Sequence, residues 1–342
     1  MDMNAEWARM RLDFRFEART SRESMRYKDT YIVRIHEDGH YAYGECALFH
    51  GLSEDDKPDY EKQLDYYCRN LNRLKGCRYS SIRFGLETAL ANLKHDGADE
   101  WDNCKGIPIN GLIWMGDKKL MARRIDEKLA DGFGVLKLKI GGIDFEDELD
   151  LLEMIRQRYA PSNLEIRLDA NGSFSPENAL NRLHRLSSFG IHSIEQPIKA
   201  GQLDHMRTIC SKSPIPIALD EDLIGCTSEQ AKHEKLRYIQ PSYIILKPAL
   251  CGGLYGANGW ADAAEQTGIQ YWFTSALESN IGLDSIARLA IKRGIKMPQG
   301  LGTGELYHNN IPSPLYRDGA FLRHDAARPW IIPDLKWNTP IS

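Results

Sequence analysis

The chain runs to 342 residues, 42% of them hydrophobic and 27% charged, with a net charge of −4. That length suffices for one large core or two domains, and a near-neutral charge with dispersed lysines and arginines argues against nucleic acid or a membrane surface as partner. Seven scattered cysteines without a C-x-x-C pair point to reduced cytosolic thiols rather than a disulfide or zinc framework.

In chain order, residues 1–15 carry charges every few positions and lack an apolar run, so no secretory signal is expected. No stretch of about 18 apolar residues follows, so no membrane span is expected and the protein is read as cytoplasmic. Residues 31–36 and 41–45 alternate like strands around Glu37-Asp38-Gly39, which predicts a hairpin. Between residues 54 and 96, Leu64, Tyr67, Leu71 and Leu74, then Ile82, Leu86, Ala89 and Leu93, recur at helical spacing. Strands followed by helices suggest a small α+β domain over residues 1–105.

From about residue 106 short apolar runs alternate with amphipathic stretches. Strands are expected at 108–113, 134–140, 164–169, 191–195, 215–220, 243–247, 269–275 and, more weakly, 299–302. Helices are expected at 144–159, 176–189 and 256–267. Eight such units over about 200 residues predict a β/α barrel. The alternative is a doubly wound open sheet, but no Gly-rich fingerprint follows the first strand. Residues after Tyr307, rich in proline, are expected to be irregular and to return to the first domain.

Five of these strands end in a polar or charged residue where a buried parallel strand should stay apolar. They are Lys139, Asp169, Glu195, Asp220 and Lys247, at intervals of 30, 26, 25 and 27 residues. Each interval is about one βα unit, so all five are expected at equivalent heights on the C-terminal rim, where barrel active sites form. Alternation places Lys137 with Lys139 on the interior face, and Arg167 and Asn171 with Asp169. Glu221 and Asp222 beside Asp220 are the alternative carboxylates at that position, and the same parity disfavours Glu221. Three converging carboxylates repel one another unless something neutralises them. An oxygen-only set suits Mg²⁺. A lysine beside a divalent cation and a second lysine has a lowered pKa, and metal bound to a substrate carboxylate stabilises the enediolate left by its α-proton.

K-x-K, D-A-N-G, E-Q-P, A-L-D-E and L-K-P on successive strands resemble the enolase superfamily, in its muconate-lactonizing branch. Segments 244–254, 275–283 and 300–304 resemble the o-succinylbenzoate synthase family within it. The resemblance spans essentially the whole chain. It implies a (β/α)7β TIM-like barrel (residues 106–305) with an α+β capping domain (1–105) to which residues 306–342 return. The implied activity is Mg²⁺-dependent dehydration of 2-succinyl-6-hydroxy-2,4-cyclohexadiene-1-carboxylate to 2-succinylbenzoate in menaquinone biosynthesis, with Mn²⁺ as a substitute metal. Asp169, Glu195 and Asp220 match the metal ligands, Lys139 the base, Lys137 its electrostatic neighbour, and Lys247 the cation on the opposite face of the ring. Asn171 and Arg167 are expected around the metal ligands, Arg167 as an ion-pair partner. Arg22, in a segment resembling a capping loop, is an expected substrate contact, although Glu23 stands where that loop would carry glycine. Ser275, Ser279 and Asn280 would either bind the succinyl carboxylate or cap the next helix. A racemase of N-succinylamino acids or a dipeptide epimerase would use both Lys139 and Lys247 as bases. A barrel glycosidase would use Glu195 and Asp220 as its pair and leave the lysines without a role. A small carboxylate is the expected partner, and the sequence does not give the oligomeric state.

Overall fold

The computed structural model describes residues 5–19, 24–37, 39–94 and 99–338. It opens with three antiparallel strands, β1 (Ala5–Arg19), β2 (Ser24–Glu37) and β3 (His40–Cys46), in that spatial order. β1 lies in the stretch read above only for its charges. Met10, Leu12 and Phe14 are buried on one face while Arg9, Arg11 and Asp13 are exposed on the other, so the charges mark the solvent face of a half-buried strand; Trp7, on the charged side, is covered in the cluster that holds Leu64. Of the expected turn, Asp38 lies outside the described residues. Helices α1 (Tyr60–Arg69) and α2 (Ser80–Leu93) pack on this sheet through Leu64, Ile82, Leu86 and Ala89, with Val33 and Ile35 opposite. The approach of α2 to β3 is very close. A Cβ at Gly44 would stand 1.9 Å from the Gly85 carbonyl oxygen, and one at Gly85 2.4 Å from Cys46 Sγ.

The remainder is mixed α/β around a curled seven-stranded parallel sheet. In chain order it runs β4 (Ile107–Pro108), β5 (Gly111–Ile113), α3 (Lys118–Ala130), β6 (Val135–Lys139), α4 (Phe145–Arg156), β7 (Glu165–Asp169), α5 (Pro176–Ser187) and β8 (Ser193–Glu195). It continues through α6 (Leu203–Lys212), β9 (Ile217–Leu219), α7 (Glu229–Ile239), β10 (Tyr243–Leu246), α8 (Gly253–Thr267), β11 (Gln270–Phe273) and α9 (Asn280–Lys292). The sheet order, β11-β10-β9-β8-β7-β6-β5, is sequential, as short right-handed βα connections require. Leu136, Leu138, Ile166 and Leu168 point outward into the main core against the helices. The interior holds a separate small cluster of Ala218, Ile245 and Trp272.

Two expectations change. The strand expected at 108–113 splits, because Ile107–Pro108 pairs antiparallel with Phe321 and Leu322 and only Gly111–Ile113 joins β6. At 299–302 no strand forms. Gln299 and Gly300 make single parallel bridges to Ile109 and Thr274, one at each edge of the sheet, and the Gln299 side-chain oxygen accepts from the Phe273 amide at 2.7 Å, doing the work of a strand carbonyl. The tail is also more regular than expected. β12 (Leu315–Asp318) and β13 (Phe321–His324) form a hairpin on β4. Flanking residues do reach the first sheet, with bridges from Tyr307 to Phe14 and from Asn338 to Trp7. All seven cysteines are free thiols, and among the described residues no helix is long and apolar enough to cross a membrane.

Candidate active site

Strand register sets the site. Lys139 pairs across to Asp169, and Asp169 to Glu195, so these three stand level on β6, β7 and β8. The expectation of equal height fails for the other two: Ala218, not Asp220, is level with Glu195, and Tyr243 is level with Ala218. A closing sheet must stagger its strands, so Asp220 stands above the plane of the first three and Lys247 higher still, from where its long side chain descends to Asp220.

The ammonium of Lys137 bridges Asp169 (3.0 Å) and Glu195 (2.6 Å). Lys139 reaches the same Asp169 oxygen at 3.0 Å and the Asn171 side-chain oxygen at 2.8 Å. Lys247 donates to Asp220 and lies 3.9 Å from Glu195. Six charges are thus interleaved within a buried space. Burial pulls all three lysines downward. For Lys137 the carboxylates Asp169 and Glu195, and for Lys247 chiefly Asp220, more than offset it and hold the ammonium form. Lys139 has Asp169 against burial and against two neighbouring lysines, and its pKa ends below the ordinary lysine value. Burial and the negative charge of Asp169 push Glu195 up to about 7, whereas for Asp169 the lysines overcome burial and lower it.

As placed, the three carboxylates do not form a ready grip on one ion: among the described residues no group of three or more His, Cys, Asp and Glu is arranged to hold a metal. Each leans instead on an ammonium, the nearest source of compensating charge. The donor set nevertheless fits a hard divalent cation. It is all oxygen, and Glu195, fully buried, has neither carboxylate oxygen in a hydrogen bond, its 2.6 Å approach to Lys137 being a charge contact without hydrogen-bond alignment.

A cavity of about 310 Å³ opens over this cluster. Lys137, Lys139, Asp169, Asn171 and Lys247 border it on one side, and Trp114, Leu112, Met25, Phe49 and Leu277 supply apolar walls. Lys139 Nζ lies 5.8 Å from the centre of the Trp114 ring. Two buried polar atoms in the lining, Asn110 Oδ1 and Thr303 Oγ1, have no hydrogen-bond partner, so a ligand can satisfy them.

The other expected residues divide. Asn171 joins the site, bonded to Lys139 and Glu221, in a left-handed conformation (φ 44°) that turns the chain off β7. Ser275 lines the cavity, its hydroxyl donating to Glu278. Ser279 does not line it. Its hydroxyl donates to Glu45 and accepts from the Ile281 amide, which makes it the N-cap of α9. Asn280 is also outside the lining and is occupied with Asn310 and the Ile311 carbonyl. Arg167 does not pair with the metal-ligand candidates. It lies one layer deeper, and its guanidinium meets Glu165, the Pro298 carbonyl and the Trp272 ring. Arg22 lies outside the described residues.

Two contributors have no role assigned from the sequence, one of them the glutamine of the E-Q-P motif. Gln196 (φ 41°), just after Glu195, accepts from the amides of Asp220 and Asp222 and donates to the Asp222 carboxylate and the Ile198 carbonyl, locking the ends of β8 and β9 together. These bonds also account for Asp222 as a structural carboxylate. The other is Glu148 on α4, which accepts the Gly141 amide just after β6 at 2.5 Å. Burial raises its pKa from 4.5 to about 7, partly offset by that amide. The folded protein therefore holds a proton there that the unfolded chain has released, so stability falls as pH rises from about 4.5 to about 7 and stays reduced above. Glu148→Gln is expected to be more stable relative to wild type at pH 8 than at pH 5, by roughly 2–3 kcal/mol, as read from denaturant melts at the two pH values.

Residues 120–315 match the family described as Enolase C-terminal domain-like. The chain belongs to the enolase superfamily. Within this superfamily it is 44% identical to the o-succinylbenzoate synthase of Desulfotalea psychrophila (strain LSv54 / DSM 12343), over 94% of this chain and 98% of that one. The crystal structure of MenC from the same organism superposes with a TM-score of 0.82 at 40% identity, covering 94% of this chain and all of the other. A dipeptide epimerase from Cytophaga hutchinsonii, complexed with Mg and D-Ala-L-Val, gives a TM-score of 0.83 over 95% of this chain and 94% of its own, at 22% identity. That likeness is one of fold.

Proposed function

We propose that this enolase-superfamily chain dehydrates 2-succinyl-6-hydroxy-2,4-cyclohexadiene-1-carboxylate to 2-succinylbenzoate, a menaquinone-pathway reaction. The architecture we assign is a (β/α)7β barrel over residues 106–305, closed through the bridges of Gln299 and Gly300. Residues 1–105 and 306–342 cover it. One observation carries the chemistry: Lys139 at the end of β6 and Lys247 just after β10 border a single cavity, with three strands between them, each on a buried carboxylate. The near-full-length relative, an o-succinylbenzoate synthase by name, supports the product assigned here.

In this reading Lys139 is the base. Its neutral Nζ takes the α-proton of the ring carboxylate, the C–H electrons pass into an enediolate, and their return expels the ring hydroxyl. That hydroxyl leaves as water with the proton from Lys139, so one residue serves as base and then acid, and aromatisation drives the step. Lys247, kept as ammonium, faces the developing negative charge, and Lys137 holds Asp169 and Glu195. Asp169, Glu195 and Asp220 would hold Mg²⁺, the ion named with the Cytophaga epimerase, which supplies a positive charge against the substrate carboxylate. Thr303 offers its unpartnered hydroxyl as a donor to the succinyl oxygens, and Asn110 its Oδ1 as an acceptor for the ring hydroxyl.

The test is direct. Purified protein with Mg²⁺ and the cyclohexadiene substrate should show the ultraviolet change of aromatisation, and EDTA should stop it. Absence of turnover under saturating Mg²⁺ would overturn the reading. Asp169→Asn is expected to weaken Mg²⁺ binding by more than about tenfold and to lower kcat as well, as measured by titration calorimetry and steady-state kinetics. Unchanged affinity would remove Asp169 from the ligand set.

A further inference from the structure

Leu277, in the loop between β11 and α9, has φ 65°. Left-handed backbone is costly for a residue with a Cβ and persists where its surroundings impose it. The chain places glycine at many other positive-φ positions, yet here keeps a leucine whose side chain lines the cavity. Three bonds impose the conformation. Ser275 Oγ accepts the Leu277 amide at 2.9 Å. The Leu277 carbonyl accepts twice, from Lys28 Nζ at 3.0 Å and from the Tyr307 hydroxyl at 2.8 Å. Lys28 comes from β2, the strand that also contributes Met25 to the cavity, and Tyr307 from the segment after the barrel.

Lys28 is an unusual donor for a loop carbonyl. It is only 5% exposed, and the charges facing it are the buried carboxylates Glu45 and Glu278. Glu45 is already saturated by Thr30, Ser279 and the Gly282 amide, and Glu278 accepts from the same Ser275 hydroxyl that holds Leu277. A buried ammonium, two carboxylates and a tyrosine therefore converge on one strained residue at the cavity wall.

We propose that Lys28 and Tyr307 are positioning residues for substrate recognition. They clamp the Leu277 carbonyl so that its side chain and the Ser275 hydroxyl form the cavity wall after β11. The first sheet and the C-terminal segment thereby set the shape of a pocket whose reacting groups stand on β6 to β10. As a statement about substrate, the inference rests on the dehydratase reading.

The experiment compares Tyr307→Phe and Lys28→Met with wild type, each saturated with Mg²⁺, by steady-state kinetics and by amide hydrogen exchange over residues 275–279. Each variant should raise KM at least about fivefold, the worth of one buried hydrogen bond, with kcat within about twofold. Exchange in the loop should speed up at least about fivefold. In a Leu277→Gly background, where no clamp is needed, Tyr307→Phe should change KM by less than about twofold, since neighbours sharing one function are not additive. Unchanged KM in folded variants, or a Tyr307→Phe effect undiminished by Leu277→Gly, overturns the proposal. If Lys28→Met does not fold, Tyr307→Phe and its Leu277→Gly comparison decide it. If wild type itself does not turn over, the dehydratase reading falls and exchange alone judges the clamp, with unaltered exchange in Tyr307→Phe refuting it.

Discussion

Lys139→Ala is expected to lower kcat by more than about 10³-fold while leaving the fold and Mg²⁺ affinity in place. A positioned general base is worth about 10² to 10⁴, and in the proposed reaction the same nitrogen also returns the proton to the leaving hydroxyl, so its loss would remove both transfers. The site is built to give this lysine a usable neutral form. Burial and the adjacent Lys137 and Lys247 lower its pKa, and Asp169 alone does not restore it. Lys139→Arg separates the base from the charge. A guanidinium keeps the ion pair with Asp169 but cannot lose its proton in the working range, so it should be as inactive as alanine. The measurement is single-turnover absorbance at saturating substrate, with circular dichroism as the control for folding. If either variant keeps a tenth of wild-type kcat, another group is the base.

How much of this arrangement the sequence reveals depends on the range of the interaction involved. Lys137 and Lys139 are legible because alternation along one strand is local, and Asp169 and Glu195 because a βα unit has a nearly constant length. Register then brings Lys139, Asp169 and Glu195 level, as the spacing implies. Spacing does not carry the stagger of a curling sheet, so Asp220 and Lys247 are recognised as participants but misjudged in height. Arg167 shows the limit of parity. Its interior face is right, but a side chain on a strand can reach either end, and this one turns toward Glu165 and Pro298. Of the two readings open to Ser279 and Asn280, Ser279 takes the cap, because α9 needs its free amides satisfied, while the Asn280 side chain takes neither and donates to the Ile311 carbonyl. β1 carries a legible alternation, with Met10, Leu12 and Phe14 on one buried face between charged neighbours, which the density of charge masks. The bonds from Lys28 and Tyr307 to Leu277 were out of reach, since nothing in a lysine 249 positions away announces its acceptor.

Lys247→Ala is expected to lower kcat by about 10² to 10³, the usual consequence of removing a preorganised donor aimed at developing charge. Its environment is the reverse of that of Lys139. Burial works against its charge, but Asp220 and Glu195 carry its pKa upward, so near neutral pH it is an ammonium, which suits the stabilising role proposed for it rather than that of a base. Charge, rather than proton transfer, is then what a substitution must preserve. Lys247→Arg should recover part of the activity that Lys247→Ala loses, whereas Lys139→Arg should recover none. A racemase would behave differently, because there each lysine must be neutral in one direction, and arginine at either position would abolish solvent deuterium exchange from one enantiomer. Steady-state kinetics on the four variants therefore distinguishes the two chemistries. If Lys139→Arg is the more active of the two arginine variants, the roles are exchanged and Lys247 is the base.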